Sequence, residues 1–193
     1  CEKFEALREG CMSKKSKDEK LLFLFDEKLR QMSQFQSIFP FLQLVLPNLN
    51  PSRRYQLKAL KLAKIYKDIL LLGKGSENYN MLARYKEGDF DLPNMIASMI
   101  PNQIPSGKNL RQVHILLDKL ENDKNGNTLR DIHKECSALE QKWILRIILA
   151  TGSGPSTTQS MNIGVKQDSV LSFLHPSAKE YYNGNSCLRT LCV

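Results

Sequence analysis

No stretch of the 193-residue sequence is long and apolar enough to form a membrane-spanning helix. Such a helix takes about 18 to 20 consecutive apolar residues, whereas the longest apolar runs here are short segments such as Leu21 to Phe25 and Ile69 to Leu72. The sequence also opens at Cys1, without an initiator methionine or a signal segment. We therefore expect no membrane partner, and we expect the chain to be part of a longer product.

Residues suited to metal binding or nucleophilic catalysis are few and scattered. The five cysteines form no Cys-x-x-Cys pair, and three histidines are present. The spacing of Cys187 and Cys192 is a weak metal signal with no histidine close in sequence. No serine or cysteine with histidine, and no pair of carboxylates, has the spacing of a catalytic site. These shortages predict no metal site, no catalytic residue, and reduced thiols in the cytosol or nucleus.

Strand signals are also scarce, because no alternating apolar segment adjoins a hairpin turn. Helical periodicity instead predicts an all-α fold, a compact multi-helix domain over residues 1–193. Residues 151–160 are small, polar and rich in glycine and proline, which predicts a disordered insertion. The expected helices are residues 2–9, ended by Gly10; a segment from Asp18 with Leu21, Leu22 and Phe25 on one side and Phe23 and Leu24 on the other, which needs cover from two directions or a partner; 40–46; 53–72, closed by a left-handed residue at Gly73; 95–100; 110–120, with His114 at the surface or boundary; 128–136, capped by Thr128 and Asp131; 165–174; and a last one from Pro176.

Basic residues outnumber acidic ones, with 28 Lys and Arg against 20 Asp and Glu and a formal net charge of +8. This excess favours an anionic partner, with nucleic acid ahead of a membrane surface. An ordinary basic protein fits the composition equally well. The densest cationic stretch runs from Arg53 to Lys67, and a solvated face is the expected role for most of its lysines.

The most informative stretch begins at Ser137 and Glu140, which have the spacing of a capping box. In that motif the serine oxygen accepts one backbone hydrogen bond and the carboxylate accepts another, so a helix is predicted to follow. Trp143 and its helical neighbours form an apolar stripe on that helix. The other side is predicted to stay free of packing, and it carries Gln141, Lys142, Leu145 and Arg146.

Several strings of the chain resemble the N-terminal DNA-binding domain of eukaryotic ATP-dependent DNA ligases. The residue string Ser-Ala-Leu-Glu-Gln-Lys-Trp is most similar to the DNA ligase IV branch of that family, whose members act in end joining. The chain departs from the family pattern in two places. Ala59 stands where the family carries an acidic residue, and about nine more residues separate Arg146 from Gly164 than in the family. The strings that carry the resemblance are Pro47-x-Leu49, Tyr55-x-x-Lys58, Leu62-Ala-Lys-Ile-Tyr66, Glu140-Gln-Lys-Trp-Ile-Leu-Arg146, Ile163-Gly164, Val170-Leu171 and His175-Pro-Ser-Ala178.

The resemblance implies a domain that holds double-stranded DNA by its phosphates and minor groove without reading base sequence. It places glycine turns at Gly88 and Gly164 against the DNA backbone, where the missing side chain lets a phosphate approach. The cations expected beside them contribute through counterion release. These cations are Lys86, Lys108, Lys142, Arg146 and Lys166.

The resemblance also implies that the chemistry lies outside this chain. Ligases of this class use ATP and Mg²⁺ and adenylate the lysine of a Lys-x-Asp-Gly motif, whereas no Asp-Gly dipeptide occurs here. We expect the catalytic core to be absent, no cofactor to bind, and no ligation by this chain alone. The parent would be a nuclear repair ligase that joins nicked or broken DNA.

A helical protein-interaction module is the alternative. In the DNA ligase IV branch the first helices of this domain also dock a peptide of the end-processing nuclease Artemis, so the resemblance implies a comparable peptide partner. The aromatic residues expected to line such a groove are Phe23, Phe25, Phe35 and Phe39.

Overall fold

The computed structural model describes residues 2–32, 39–45, 47, 53, 55–86, 90–101, 104, 106–123, 126–151 and 167–174. Every regular element in those residues is a helix, which confirms the all-α prediction. Contacts divide the chain into two compact units, one of residues 1–52 with 161–193 and one of residues 53–160. The single domain over residues 1–193 stays a prediction, and the proposed insertion from residue 152 and the helix from Pro176 lie outside the described residues.

The first unit contains four of the described helices: α1 (Glu2–Ser13), α2 (Lys17–Met32), α3 (Phe39–Val45) and α10 (Gln167–Leu174). α2 contacts both α1 and α10. The expected cover from two directions is confirmed, and Leu24 is buried, whereas Leu22, which was expected to pack, is exposed.

The prediction that Gly10 ends the first helix is wrong. α1 continues through it to Ser13. A Cβ atom at Gly10 would lie 2.2 Å from the ring of Phe23. The glycine is therefore a point of close approach between α1 and α2.

The second unit contains six of the described helices: α4 (Ala59–Ile69), α5 (Glu77–Ala83), α6 (Leu92–Met99), α7 (Leu110–Glu121), α8 (Asn127–Glu135) and α9 (Ala138–Ala150). α6 and α9 form the largest helix–helix contact, α4 contacts α5 and α6, and α7 contacts α8. Trp143 of α9 and Tyr66 of α4 are among the largest fully buried side chains.

The sequence predicts a helix from Arg53, but α4 begins at Ala59. Arg53 is buried and fastens the preceding segment to α7, since its Nε and Nη2 atoms donate to Asp118 Oδ1 at 3.0 and 2.6 Å. Its Nη1 atom also lies 2.7 Å from Nδ1 of half-buried His114. Arg53 is therefore not one of the solvated cations of this stretch.

The cap of α8 also differs from the predicted one. Thr128 and Asp131 have capping spacing, yet α8 begins one residue earlier, after Gly126 at φ +77°. The Asp123 carboxylate accepts hydrogen bonds from the backbone N–H groups of Gly126 and Thr128. An acid in the preceding turn thus satisfies the first N–H groups of the helix.

The left-handed residue after α4 is Leu71 at φ +50°, and not the predicted Gly73. Leu71 is 88% exposed, so its side chain gains little from packing. Left-handed backbone places Cβ close to the following carbonyl oxygen, which is unfavourable for residues other than glycine.

Replacing Leu71 with glycine is therefore expected to stabilise the second unit. Relief of the left-handed strain is worth about 1–2 kcal/mol, and the greater unfolded-state entropy of glycine offsets about 0.5–1 kcal/mol of it. The free energy of unfolding in urea should rise by about 0.5–1 kcal/mol. Leu71→Ala keeps Cβ and should leave that free energy unchanged; an equal gain in both variants would show that backbone strain is not the cause.

Candidate nucleic-acid interface

The start of α9 has the capping box that the sequence predicts. Ser137 Oγ accepts a hydrogen bond from the Glu140 N–H at 3.3 Å, and Glu140 Oε2 accepts one from the Ser137 N–H at 2.8 Å. The reciprocal bonds satisfy two N–H groups that the helix itself leaves unpaired.

Glu140 also holds a loop from elsewhere in the second unit. Its two carboxylate oxygens accept hydrogen bonds from the Ser106 hydroxyl at 2.8 Å and the Ser106 N–H at 3.2 Å. Burial by itself raises the pKa of Glu140, but the hydrogen bonds from Ser137 and Ser106 outweigh that effect and lower the pKa below its ordinary value. The loop before α7 is thus fixed to the N-terminal end of α9.

The lowered pKa predicts how acid affects stability. The stabilisation from the ionised Glu140 should be fully present above the unfolded-state pKa of about 4.3 and should be lost as pH falls through the lower folded-state pKa. Glu140→Gln should reduce the free energy of unfolding by about 1–2 kcal/mol at neutral pH, because hydrogen bonds to a neutral acceptor are weaker. The difference from the wild type should disappear in acid.

The measurement is urea unfolding between pH 3 and pH 7, at roughly unit intervals across the carboxylate range. Glu121→Gln removes an exposed carboxylate from α7 and is the matched control. A pH-independent difference between wild type and Glu140→Gln would contradict the role of the charge.

α9 is buried on nearly all sides, so the predicted free polar side is wrong. Gln141 and Leu145 are fully buried and Arg146 is 3% exposed. Gln141 Nε2 donates to the Cys136 carbonyl at 2.7 Å, and its Oε1 accepts from the Tyr66 hydroxyl at 3.3 Å. Polar groups of neighbouring segments therefore cover a side that the helical pattern alone marks as solvated.

Arg146 of α9 forms an ion pair with Asp91, the N-cap residue of α6. The guanidinium also lies over the Trp143 ring, 5.4 Å from its centroid. Asp91 Oδ1 caps α6 by accepting from the Asn94 N–H, and its side chain is 46% exposed. The Asp91 carboxylate thus caps α6 and also links the N-terminal end of α6 to the middle of α9.

The remaining exposure of α9 is at its N-terminal end. Ala138, Leu139 and Lys142 are half-buried there. Lys142 precedes Arg146 by four residues, so the two side chains lie on the same face of the helix, one turn apart. Two predicted DNA-binding cations lie on this face, and Lys142 is therefore the one that reaches the surface.

Two further predicted cations lie around α9. Lys108 follows the Ser106 loop and its Nζ forms an ion pair with Glu135 Oε2 at 3.1 Å. Lys86 is exposed, and the five residue steps to Asp91 place its Cα within about 18 Å of the Asp91 Cα. We propose that Lys86, Lys108 and Lys142 share one face of the second unit, which we call the lysine surface. Gly88, Gly164 and Lys166 lie outside the described residues.

Asp91 and Phe90 are site residues that the sequence analysis did not select. Asp91 precedes Leu92 and Pro93, and an acid followed by proline in the first turn is a recognisable helix start. That signal identifies the cap. It does not identify Arg146 as the partner, because the two residues are 55 positions apart.

The aromatic residues of the predicted peptide groove lie in the first unit. Phe25 is buried, and its ring stacks on Phe173 with centroids 5.0 Å apart. Phe23 is half-buried, and Lys14 Nζ lies 5.5 Å from its ring centroid. Phe35 and the side chain of Phe39 lie outside the described residues. Peptide docking on these helices stays a prediction.

The part of the chain that the structure describes offers neither a cluster of metal ligands nor a membrane-spanning helix. That part contains no group of three or more His, Cys, Asp or Glu side chains placed to hold a metal ion. None of its helices has the length and apolar character needed to cross a bilayer.

Comparison with known proteins identifies the family. The family described as DNA ligase N terminus matches residues 1–175. DNA ligase 4 of Cryptococcus neoformans var. neoformans serotype D (strain B-3501A) is 33% identical over 171 residues, which cover 80% of this chain and 15% of that protein. DNA ligase 4 of Gallus gallus and of Homo sapiens are 31% and 29% identical over 175 residues, covering 81% of this chain and 18% of each relative. The chain thus spans less than a fifth of these relatives, and it belongs to the DNA ligase N-terminus family.

Proposed function

We propose that this chain binds double-stranded DNA without sequence preference, through the phosphate backbone and the minor groove. It would be the DNA-binding part of an ATP-dependent ligase that repairs double-strand breaks by end joining in the nucleus. The observation that carries the proposal is the Asp91–Arg146 ion pair, which fixes the start of α6 to the helix that bears Lys142. Membership of the ligase family supports the choice of DNA as the anion.

Each lysine of the lysine surface would neutralise a phosphate and release its counterions. Lys108 is already paired with Glu135, whose side chain is 54% exposed, so water screens the pair and a phosphate would compete with it. Gly88, Gly164 and Lys166 are proposed as further contacts on the strength of the ligase resemblance. None of these groups reads a base edge, which suits an enzyme that joins any sequence.

Arg146 would support the surface from beneath. Its guanidinium is almost completely covered and engages Asp91. We therefore propose Arg146 as a positioning residue that holds the segment entering α6, with Lys142 as the direct contact from this face of α9.

The ligation chemistry is proposed for the rest of the parent protein. Nucleotidyl transfer by this class uses the lysine of a Lys-x-Asp-Gly motif, and the 193 residues contain no Asp-Gly dipeptide. ATP and Mg²⁺ would bind to the catalytic part of that parent. The role of this chain would be to hold the duplex across the nick or break.

Salt titration of DNA binding tests the proposal. The affinity for a nicked duplex, measured by fluorescence anisotropy at several salt concentrations, should fall by roughly 0.9 decades per decade of salt for each phosphate contact. Lys142→Ala should weaken binding and flatten that slope by about 0.9, because one contact is lost.

Lys119→Ala is the matched control, because Lys119 is an exposed lysine that lies away from Lys108. It is about 15 Å along α7 from the N-terminal end of that helix, which follows Lys108. This control variant should leave the slope unchanged. Salt-insensitive binding, or no binding at all, would contradict the proposal that the chain binds DNA.

A peptide-binding module is the second candidate. The first unit exposes Met12 of α1 and the large apolar side chains Leu22 and Phe173 of α2 and α10. Exposed apolar side chains on neighbouring helices suit the apolar face of a partner helix, such as an end-processing nuclease peptide. This candidate predicts weak salt dependence and no effect of Lys142→Ala.

A further inference from the structure

Phe90 is an aromatic side chain that the fold leaves largely uncovered. It immediately precedes Asp91 and is 66% exposed. Phe90 lines an open pocket of about 480 Å³ together with Met81, Tyr85 and Met95. The side chain is therefore largely in contact with solvent, and it forgoes much of the stabilisation that burial provides.

The ion pair beneath fixes the position of Phe90. Its Cα is about 3.8 Å from that of Asp91, since the two residues are consecutive. Asp91 is held by Arg146 and by its cap on α6. Phe90 therefore lies one residue from the contact with α9, and Lys142 is one helical turn from that contact.

We infer that Phe90 enters the minor groove of bound duplex DNA and packs against sugar or a partly unstacked base step. This inference rests on the proposed function and adds an apolar contact to it. Proteins that bind the minor groove insert apolar side chains, phenylalanine among them, while flanking cations hold the phosphates. Contact with a sugar or base face carries no donor or acceptor code, so it is compatible with binding of any sequence.

A structural role for the same ring makes different predictions. If Phe90 mainly covers the pocket, its removal lowers the unfolding temperature and affects DNA binding only through folding. If it enters the groove, its removal leaves the unfolding temperature close to that of the wild type and weakens binding. Met81, which is 41% exposed and lines the same pocket, supplies the matched control.

The first experiment compares wild type, Phe90→Ala and Met81→Ala in binding a nicked duplex over a range of salt. Phe90→Ala should bind about tenfold more weakly, in line with the loss of one aromatic contact to a base. The salt slope should stay unchanged, because an apolar ring releases no counterions. Met81→Ala should bind as the wild type does, and both variants should have similar unfolding temperatures.

The second experiment uses Phe90→Trp. The sole native tryptophan, Trp143, is buried and provides a constant background. Addition of duplex should quench the emission of the introduced exposed indole and leave Trp143 emission in the wild type unchanged. Quenching together with the unchanged slope of Phe90→Ala supports the inference.

Three results would overturn it. Equal binding by wild type and Phe90→Ala, with no quenching in Phe90→Trp, would show that Phe90 does not contact the DNA. A steep salt slope in the same experiment would still support the proposed function. A flatter slope in Phe90→Ala shows loss of phosphate contacts and a disturbed loop instead of a lost apolar contact. Absence of DNA binding by the wild type removes both the proposed function and this inference.

Discussion

Asp91→Asn is expected to destabilise the second unit by about 2–3 kcal/mol, although asparagine caps a helix nearly as well as aspartate. Removing one partner of a buried ion pair costs about 3–5 kcal/mol, because the remaining charge loses its counterion. The Asp91 side chain is 46% exposed, so water partly replaces the lost carboxylate and the expected loss falls below that range. The measurement is urea unfolding followed by the fluorescence of Trp143.

A second substitution separates the charge from the shape of this site. Arg146→Met fills a similar volume without a charge, and replacing both members of a buried pair is often neutral for stability. Asp91→Asn combined with Arg146→Met should therefore recover most of the stability that Asp91→Asn loses. Strictly additive losses would show that the two residues are not coupled.

The same variant distinguishes positioning from simple electrostatics. Asp91→Asn removes a negative charge beside the lysine surface, so a count of charges predicts tighter DNA binding. The positioning role predicts weaker binding, since Phe90 and the start of α6 lose their link to α9. Tighter binding by the folded variant would contradict the positioning role of the ion pair.

Interactions between residues close in sequence are the ones that the sequence predicts well. The capping box joins Ser137 to Glu140 within one turn, and both of its hydrogen bonds are present. The short helix between Pro40 and Pro47 and the helix after Ser106 also occur where proline and helical periodicity indicate them. These signals depend on local backbone geometry, which a few neighbouring residues determine.

The polar side of α9 shows what the sequence could not provide. Glutamine and arginine at helical spacing normally mark a solvated face. Here Gln141 meets Tyr66, and Arg146 meets Asp91, 75 and 55 residues away. Burial of these groups is favourable because distant polar partners satisfy them, and no local pattern encodes that pairing.

The position of Gly10 inside α1 also depends on a residue that is distant along the chain. Glycine lowers helix stability, so a glycine after a short amphipathic segment predicts an end. In the structure the same missing side chain makes room for the ring of Phe23. Whether a glycine ends a helix or allows close packing depends on the neighbouring helix, which local sequence does not specify.

Trp143→Ala is expected to have the largest effect on stability. Trp143 is 1% exposed at the centre of α9, and its ring lies under the Arg146 guanidinium. Truncation of a buried tryptophan costs about 3–5 kcal/mol, and loss of the cation–π contact adds about 0.5–1 kcal/mol. Because a folded domain has only about 5–15 kcal/mol of stability, this variant should be partly unfolded at 37 °C.

Circular dichroism in urea is the suitable measurement for this variant, since the substitution removes the sole tryptophan. Leu139→Ala lies on the same helix at a half-buried position and should cost much less. DNA binding by Trp143→Ala should follow the folded fraction as temperature changes, because Lys142 is presented by the same helix. If Leu139→Ala proved the more damaging substitution, α9 would not be the core helix that supports the lysine surface.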